Sequence, residues 1–201
     1  EKGRSININH KGELVIKNPF PTMPIKFWND MDNKKLKKAY FSKYKNVWYH
    51  GDFIQKTRNG GFIMLGRSDT TLNPGGVRMG TAEIYRQVEN IEFVRESLVV
   101  GQNWKDDVRI ILFVVMETKK KLGVEEINFI RNKVKDNCSP KHVPHKVIEI
   151  PEIPRTKSGK IVELAVKKAI HGKNIENLEA LSNPESIKFF KNLYEKGLFN
   201  E

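Results

Sequence analysis

Ile110-Ile111-Leu112-Phe113-Val114-Val115-Met116 is an unbroken apolar run. A strand with one face in water alternates apolar and polar residues, so a run without polar members suits a strand buried on both faces. It is far short of the roughly 20 apolar residues that cross a bilayer. Something must cover both faces, and the flanking sequence offers candidates. Upstream, residues 81–88 read as a helix with Thr81 as its cap, and residues 97–101 as a short apolar strand. Downstream, residues 124–138 place Ile127, Ile130, Val134 and Cys138 on one face, which predicts an amphipathic helix. Lys119-Lys120-Lys121 between them reads as an exposed turn. Residues 146–150 read as another strand, and residues 161–170 as a helix after Ser158-Gly159. The tail from about Lys173 is polar, then amphipathic near residues 187–193. Strands mixed with helices in this way predict an α+β unit, a short antiparallel or mixed sheet flanked by helices.

Residues 1–66 have a different texture. Glu13-Leu14-Val15-Ile16-Lys17 reads as a strand that Asn18-Pro19-Phe20-Pro21 ends. Residues 34–44 are basic, with Leu36, Ala39 and Tyr40 at helical spacing. Val47-Trp48-Tyr49 is a short strand running into Gly51-Asp52. Phe53 to Lys56 and Gly61 to Leu65 flank Arg58-Asn59-Gly60-Gly61, a hairpin with strong turn chemistry. The stretch Gly66-Arg67-Ser68-Asp69-Thr70-Thr71-Leu72-Asn73-Pro74-Gly75-Gly76 tolerates unusual backbone angles and is the natural boundary. The expected division is therefore a β-rich segment, 1–66, and an α+β domain, 67–201.

The 201 residues are 38% hydrophobic and 30% charged, enough for a core and its cover. Thirty-six basic against 24 acidic side chains give a net charge of +12, which favours anionic partners such as nucleotides, CoA phosphates or nucleic acid. Cys138 is the single cysteine, so no internal disulfide forms and a reduced, cytoplasmic setting is the default. There is no apolar leader and no membrane-spanning stretch. The chain opens on Glu1 rather than methionine, as a piece of a longer chain would.

Three segments carry chemistry. Tyr49-His50-Gly51-Asp52 taken alone is an ordinary turn, yet its carboxylate suits a vicinal diol such as a ribose, by charge-assisted hydrogen bonds. The loop from Gly66 to Gly80 holds Arg67, Asp69, Gly75, Gly76 and Arg78. Long loops of this kind are more often functional than not, and paired glycines between arginines let backbone and guanidinium approach a phosphate. Pro154-Arg155-Thr156-Lys157-Ser158-Gly159-Lys160 is a basic turn before a helix. It is not a P-loop, since Ile161 stands where Ser or Thr would have to follow the lysine.

In this order the three segments resemble the C-terminal motif series of the adenylate-forming superfamily, which includes acyl-CoA synthetases, luciferases and peptide-synthetase adenylation domains. The resemblance covers almost the whole chain. Residues 12–24, Phe27-Trp28-Asn29-Asp30, residues 72–78 and residues 180–186 resemble further the acyl-CoA synthetases that act on acetoacetate. One departure is Thr70, where many relatives carry a second Asp after the hinge residue.

The resemblance implies the end of a large N-terminal domain followed by a small mobile C-terminal lid. It implies that acetoacetate attacks ATP to give an acyl-adenylate and pyrophosphate, and that CoA then displaces AMP. Lys160 would be the catalytic lysine of adenylation. Asp52 would bind the ribose, supported by Arg67, and Arg78 the adenylate phosphate. Asp69 would be the hinge. Gly75 and Gly76 would border the pantetheine of CoA, and Lys135 would meet a CoA phosphate. Mg2+ would come with ATP, its ligands outside this chain, and no metal site is expected within it. Lys160 is also a candidate for a lysine acetyltransferase and deacetylase. The acyl pocket and the Ser/Thr/Gly-rich phosphate loop belong to the missing N-terminal body, so the chain alone is expected to be inactive. Rival readings are an acetyl- or propionyl-CoA ligase and a basic nucleic-acid-binding module. The second lacks zinc spacing, RNA-binding aromatics or a helix-turn-helix.

Overall fold

The computed structural model describes residues 4–117 and 120–200. They fall into two compact units, Glu1–Ser68 and Asp69–Glu201.

The first unit is an antiparallel sheet of β1 (Lys11–Ile16), β2 (Trp48–Lys56) and β3 (Phe62–Arg67), with β2 in the centre. The β2–β3 hairpin turns through Gly60, whose positive φ of 80° suits a residue without a side chain. Helix α1 (Lys34–Tyr40) is shorter than the basic stretch that predicted it. The buried carboxylate of Asp30 accepts the Lys35 and Leu36 amides at 2.9 Å each, doing the work of a cap from four positions before the first helical residue. Tyr40 stacks on Trp48 at 3.7 Å between centroids, which fixes α1 to β2.

The second unit is built on the apolar run. Strand β5 (Asp107–Met116) is the middle of a three-stranded sheet, antiparallel to β4 (Val94–Trp104) and parallel to β6 (Lys146–Glu149). Its side chains alternate between two cores. Ile111, Phe113 and Val115 join Leu98 and Val100 under α4 (Glu163–Ala169) and α5 (Ser186–Glu195). Ile110, Leu112 and Val114 join Val99 under α2 (Thr81–Val88) and α3 (Val124–Asn137). Helices thus cover both faces of a mixed sheet, as the α+β reading requires.

Details differ from the sequence reading. Thr81 is not the cap of α2: it lies inside the helix and is buried. The cap is Gly80, whose N–H donates to the Glu83 carboxylate at 2.9 Å. Of the predicted face of α3, Ile130 and Val134 are fully buried, whereas Ile127 and Cys138 are half-buried. The lysine turn falls partly outside the described residues, at Lys119; Lys120 and Lys121 are exposed. Helix α4 starts at Glu163 rather than Ile161, because Ile161 pairs as an antiparallel bridge with Arg155. Among the described residues no helix is long and apolar enough to cross a membrane.

Candidate functional site

In the first unit the sheet brings His50, Asp52 and Arg67 together. His50 and Asp52 are two apart on β2 and share a face, and Asp52 is the register partner of Arg67 on β3. The Asp52 carboxylate meets His50 Nδ1 through one oxygen and lies 3.8 Å from Arg67 Nη1 through the other. Arg67 Nη1 also donates to the His50 carbonyl at 3.2 Å. Gly51 makes this possible. Its φ is 87°, and a Cβ there would lie 2.7 Å from Arg67 Nη2, so the guanidinium rests where any other side chain would begin. Beside the cluster is a cavity of about 340 Å³ lined by Tyr40, Trp48, Tyr49, His50 and Arg67. The sequence reading did not single out His50, although strand alternation put it on the Asp52 face.

In the second unit the glycine loop is closed at its base. Leu72 and Met79, both fully buried, exchange backbone hydrogen bonds of 2.9 and 3.0 Å. Between them Pro74–Gly76 forms a short 3-10 turn, and Val77 and Arg78 project into solvent. Gly75 and Gly76 both have positive φ, 56° and 75°. The Gly75 N–H donates to both Asp107 oxygens, at 2.8 and 3.0 Å. The amides of Val108 and Gly75 hold the Asp107 carboxyl below its ordinary range, against the opposing effect of burial and with help from the Lys141 charge. A Cβ at Gly75 would meet Lys141 Nζ at 2.5 Å, whereas Gly76 faces open space. Neither Asp107 nor Lys141 was picked out from sequence. Asp69 is exposed, and its charge bears on Lys167 of α4, whose ammonium is pulled down by burial and then by Lys173, with Asp69 opposing. Lys135 is exposed in the last turn of α3.

Lys160 stands at the close of a tight hairpin turn. Arg155 and Ile161 form the bridge. Thr156 N–H donates to the Lys160 carbonyl at 2.8 Å, and Lys160 N–H to Thr156 Oγ1 at 3.1 Å. Gly159 takes a φ of 81°, which lets the chain reverse within three residues. The side chain of Lys160 is exposed. The turn leads into α4 through Glu163, whose carboxylate accepts the Tyr85 hydroxyl at 2.5 Å. Burial, and then the Glu163 charge, push the Tyr85 phenol well above its ordinary pKa, so it stays a donor. Among the described residues no three His, Cys, Asp or Glu side chains are grouped to hold a metal ion.

An exposed lysine on a hairpin before a helix, a glycine loop ahead of the sheet and an Asp–Arg pair on a separate unit lie on the three segments that resemble the motif series of the adenylate-forming superfamily. The chain is similar over nearly its whole length to the C-terminal third of acetoacetyl-CoA synthetases. It is 51% identical over 195 residues to the acetoacetyl-coenzyme A synthetase of Rhizobium meliloti (strain 1021), covering 97% of this chain and 30% of that protein. The acetoacetyl-CoA synthetase of Xenopus tropicalis is 44% identical over 197 residues, again 97% of this chain and 29% of its own length. Among solved structures, acetoacetyl-CoA synthetase from Streptomyces lividans superposes with a TM-score of 0.88 at 39% identity, covering 96% of this chain and 29% of that one. The chain thus spans about a third of the length of the relatives it matches. No protein-family model matches it.

Proposed function

We propose that the chain is the C-terminal part of an ATP-dependent ligase that joins acetoacetate to CoA. The observation that carries this is the 51% identity, over 97% of the chain, to a protein named for that activity. In the first half-reaction a carboxylate oxygen of acetoacetate attacks the α-phosphorus of ATP, and pyrophosphate leaves. In the second the CoA thiol attacks the acyl carbon, and AMP leaves with the bonding electrons. The carboxylate is a poor acyl donor until the first step gives it this leaving group.

The ammonium of Lys160 stands between the attacking carboxylate and the α-phosphate, where negative charge concentrates in the transition state. Asp52 accepts hydrogen bonds from the ribose hydroxyls, and Arg67 beside it aims that carboxylate. Arg78 meets the adenylate phosphate. Asp69 is the hinge about which the 67–201 lid turns against its own N-terminal domain, the part to which residues 1–66 belong, so that Lys160 is presented for one step and withdrawn for the other. Gly75 and Gly76 then border the pantetheine arm, and Lys135 meets a CoA phosphate. Mg2+ enters with ATP. Acetylation of Lys160 by a lysine acetyltransferase would cancel the charge that the first step uses. The reaction belongs to ketone-body and lipid metabolism in the cytoplasm, with neither membrane nor nucleic acid as partner.

The test is pyrophosphate release in the presence of ATP, CoA and acetoacetate. The full-length protein should turn over with acetoacetate faster than with acetate or 3-hydroxybutyrate, and the 201-residue chain alone should give none. Turnover by the chain alone, or a full-length preference for acetate, rejects the reading.

A further inference from the structure

The turn that carries Lys160 is tied down by side chains that the reaction scheme does not use. Arg155 is at the root of the turn. Its Nη2 donates to Glu96 Oε2 on β4 at 2.7 Å, and its Nη1 reaches across the turn to the Gly159 carbonyl at 2.9 Å. That carbonyl belongs to the peptide group whose nitrogen is Lys160 N. A single planar guanidinium therefore links the sheet to the peptide that carries the lysine, a geometry that the point charge of a lysine cannot reproduce. Glu96 offers its other oxygen to Arg95 at 4.0 Å, and Glu89 lies within the field of Arg155. The backbone of Arg155 is fixed as well. Its N–H donates to Asn183 Oδ1 at 2.9 Å and its carbonyl accepts the Ser182 N–H at 2.9 Å, while Lys157 N–H donates to the Ala180 carbonyl at 3.0 Å. Residues 180–183 thus run alongside the turn as a strap.

We propose that Arg155, held by Glu96, is a positioning residue for the ammonium of Lys160 in the adenylation step. The inference rests on the function proposed above. The backbone bonds of the strap hold the root of the turn, but the lysine sits beyond it, and only a contact inside the turn fixes the direction in which its side chain leaves. Thr156 Oγ1 also accepts the Lys160 N–H at 3.1 Å, so loss of the Arg155 fork removes the hold on the Gly159 carbonyl and loosens the peptide, and misplacement of a reacting group by about 1 Å can cost on the order of 10²-fold in rate. The thioester step does not use Lys160 and should not notice.

The experiment separates the two half-reactions in the full-length protein. Adenylation is followed by ATP–pyrophosphate exchange with acetoacetate, and thioester formation by CoA consumption from supplied acetoacetyl-adenylate. Arg155→Ala should lower kcat for exchange on the order of 10²-fold, with KM for ATP and the thioester step unchanged. Glu96→Gln, nearly isosteric and safe for folding, should act in the same direction more weakly. Added to Arg155→Ala it should do nothing more, since its partner is already gone. Arg155→Lys should recover only part of the loss. Equal loss in both half-reactions, loss in neither, or additive effects of the two substitutions would each overturn the inference. Lys160→Ala is the reference. If it leaves exchange intact, the catalytic assignment itself fails; if it abolishes exchange while Arg155→Ala is harmless, only the positioning role fails.

Discussion

Gly51 shows how one missing side chain organises a group of charged and polar ones. Its backbone is left-handed, and the Arg67 guanidinium occupies the space of its absent Cβ. Gly51→Ala therefore carries two costs. The backbone cost for a non-glycine residue is about 1–2 kcal/mol, and the clash must in addition push Arg67 away from Asp52. Gly60 separates the two, because its φ of 80° is similar but nothing lies within 4 Å of its Cβ position. Urea denaturation of the chain should show Gly60→Ala losing only the backbone part and Gly51→Ala more. In the full-length protein Gly51→Ala should raise KM for ATP while Gly60→Ala leaves it alone. Equal effects of the two would mean that Arg67 is not seated by Gly51. At this scale the sequence was readable as far as its motifs. Asp52 and Gly51 stood out as a pair, but Arg67 was assigned to the ribose only by family likeness. His50 went unnoticed, though a two-residue step along a strand keeps side chains on one face. Glu96 carries no local signal at all, because its meeting with Arg155 depends on how β4 and the turn are folded together.

The elements were legible where hydrophobicity has a period, and less so where it lapses. Residues 110–116 announced a strand buried on both faces, and Ile111 and Phe113 do face one core while Ile110 and Leu112 face the other. The outer halves of β4 and β5 were not legible. Gln102 to Trp104 and Asp107 to Arg109 look like a polar loop, yet they pair as a hairpin whose turn uses a left-handed Lys105. Arg109 stays within the sheet because its Nε donates to Gln102, its Nη2 donates to the Phe199 carbonyl, and its guanidinium lies 3.7 Å above the Trp104 ring. The parallel pairing of β6 is equally silent in sequence, since a four-residue strand does not name its partner. Helix α5 was legible as an amphipathic stretch, and its anchor is Phe190, fully buried with its ring edge-on to Phe113 at 4.9 Å. Phe190→Ala should destabilise the chain by about 3–5 kcal/mol, the usual cost of emptying a buried aromatic site. Leu164→Ala, on the exposed side of α4, should stay within about 0.5 kcal/mol. Both are read from urea midpoints, and a Phe190→Ala effect as small as that of Leu164→Ala would mean that α5 does not close this core.

At the scale of the whole molecule, a net charge of +12 raises the question of whether the lysines act as a general positive field or as placed groups. A field attracts nucleotide phosphates from any direction and is screened by salt. A placed charge works only at the point where the transition state needs it. Lys157 and Lys160 offer the comparison, since both are exposed in the same hairpin turn, and Lys157 donates its backbone N–H to the Ala180 carbonyl while its side chain lies in solvent. If the field mattered most, Lys157→Gln and Lys160→Gln would weaken adenylation alike, and added salt would erase the difference from wild type. If the lysine is placed, Lys157→Gln should be close to wild type, and Lys160→Gln should lose adenylation by about 10²–10³-fold, the usual loss on removing one preorganised group that stabilises transition-state charge. The same Lys160→Gln protein should still form acetoacetyl-CoA from supplied acyl-adenylate at the wild-type rate, because the second half-reaction does not call on that ammonium. Glutamine also imitates an acetylated lysine, so this outcome would make acetylation a switch of the first half-reaction only. Loss of both half-reactions, or of neither, would remove Lys160 from the role of a charge delivered to one step and withdrawn from the next.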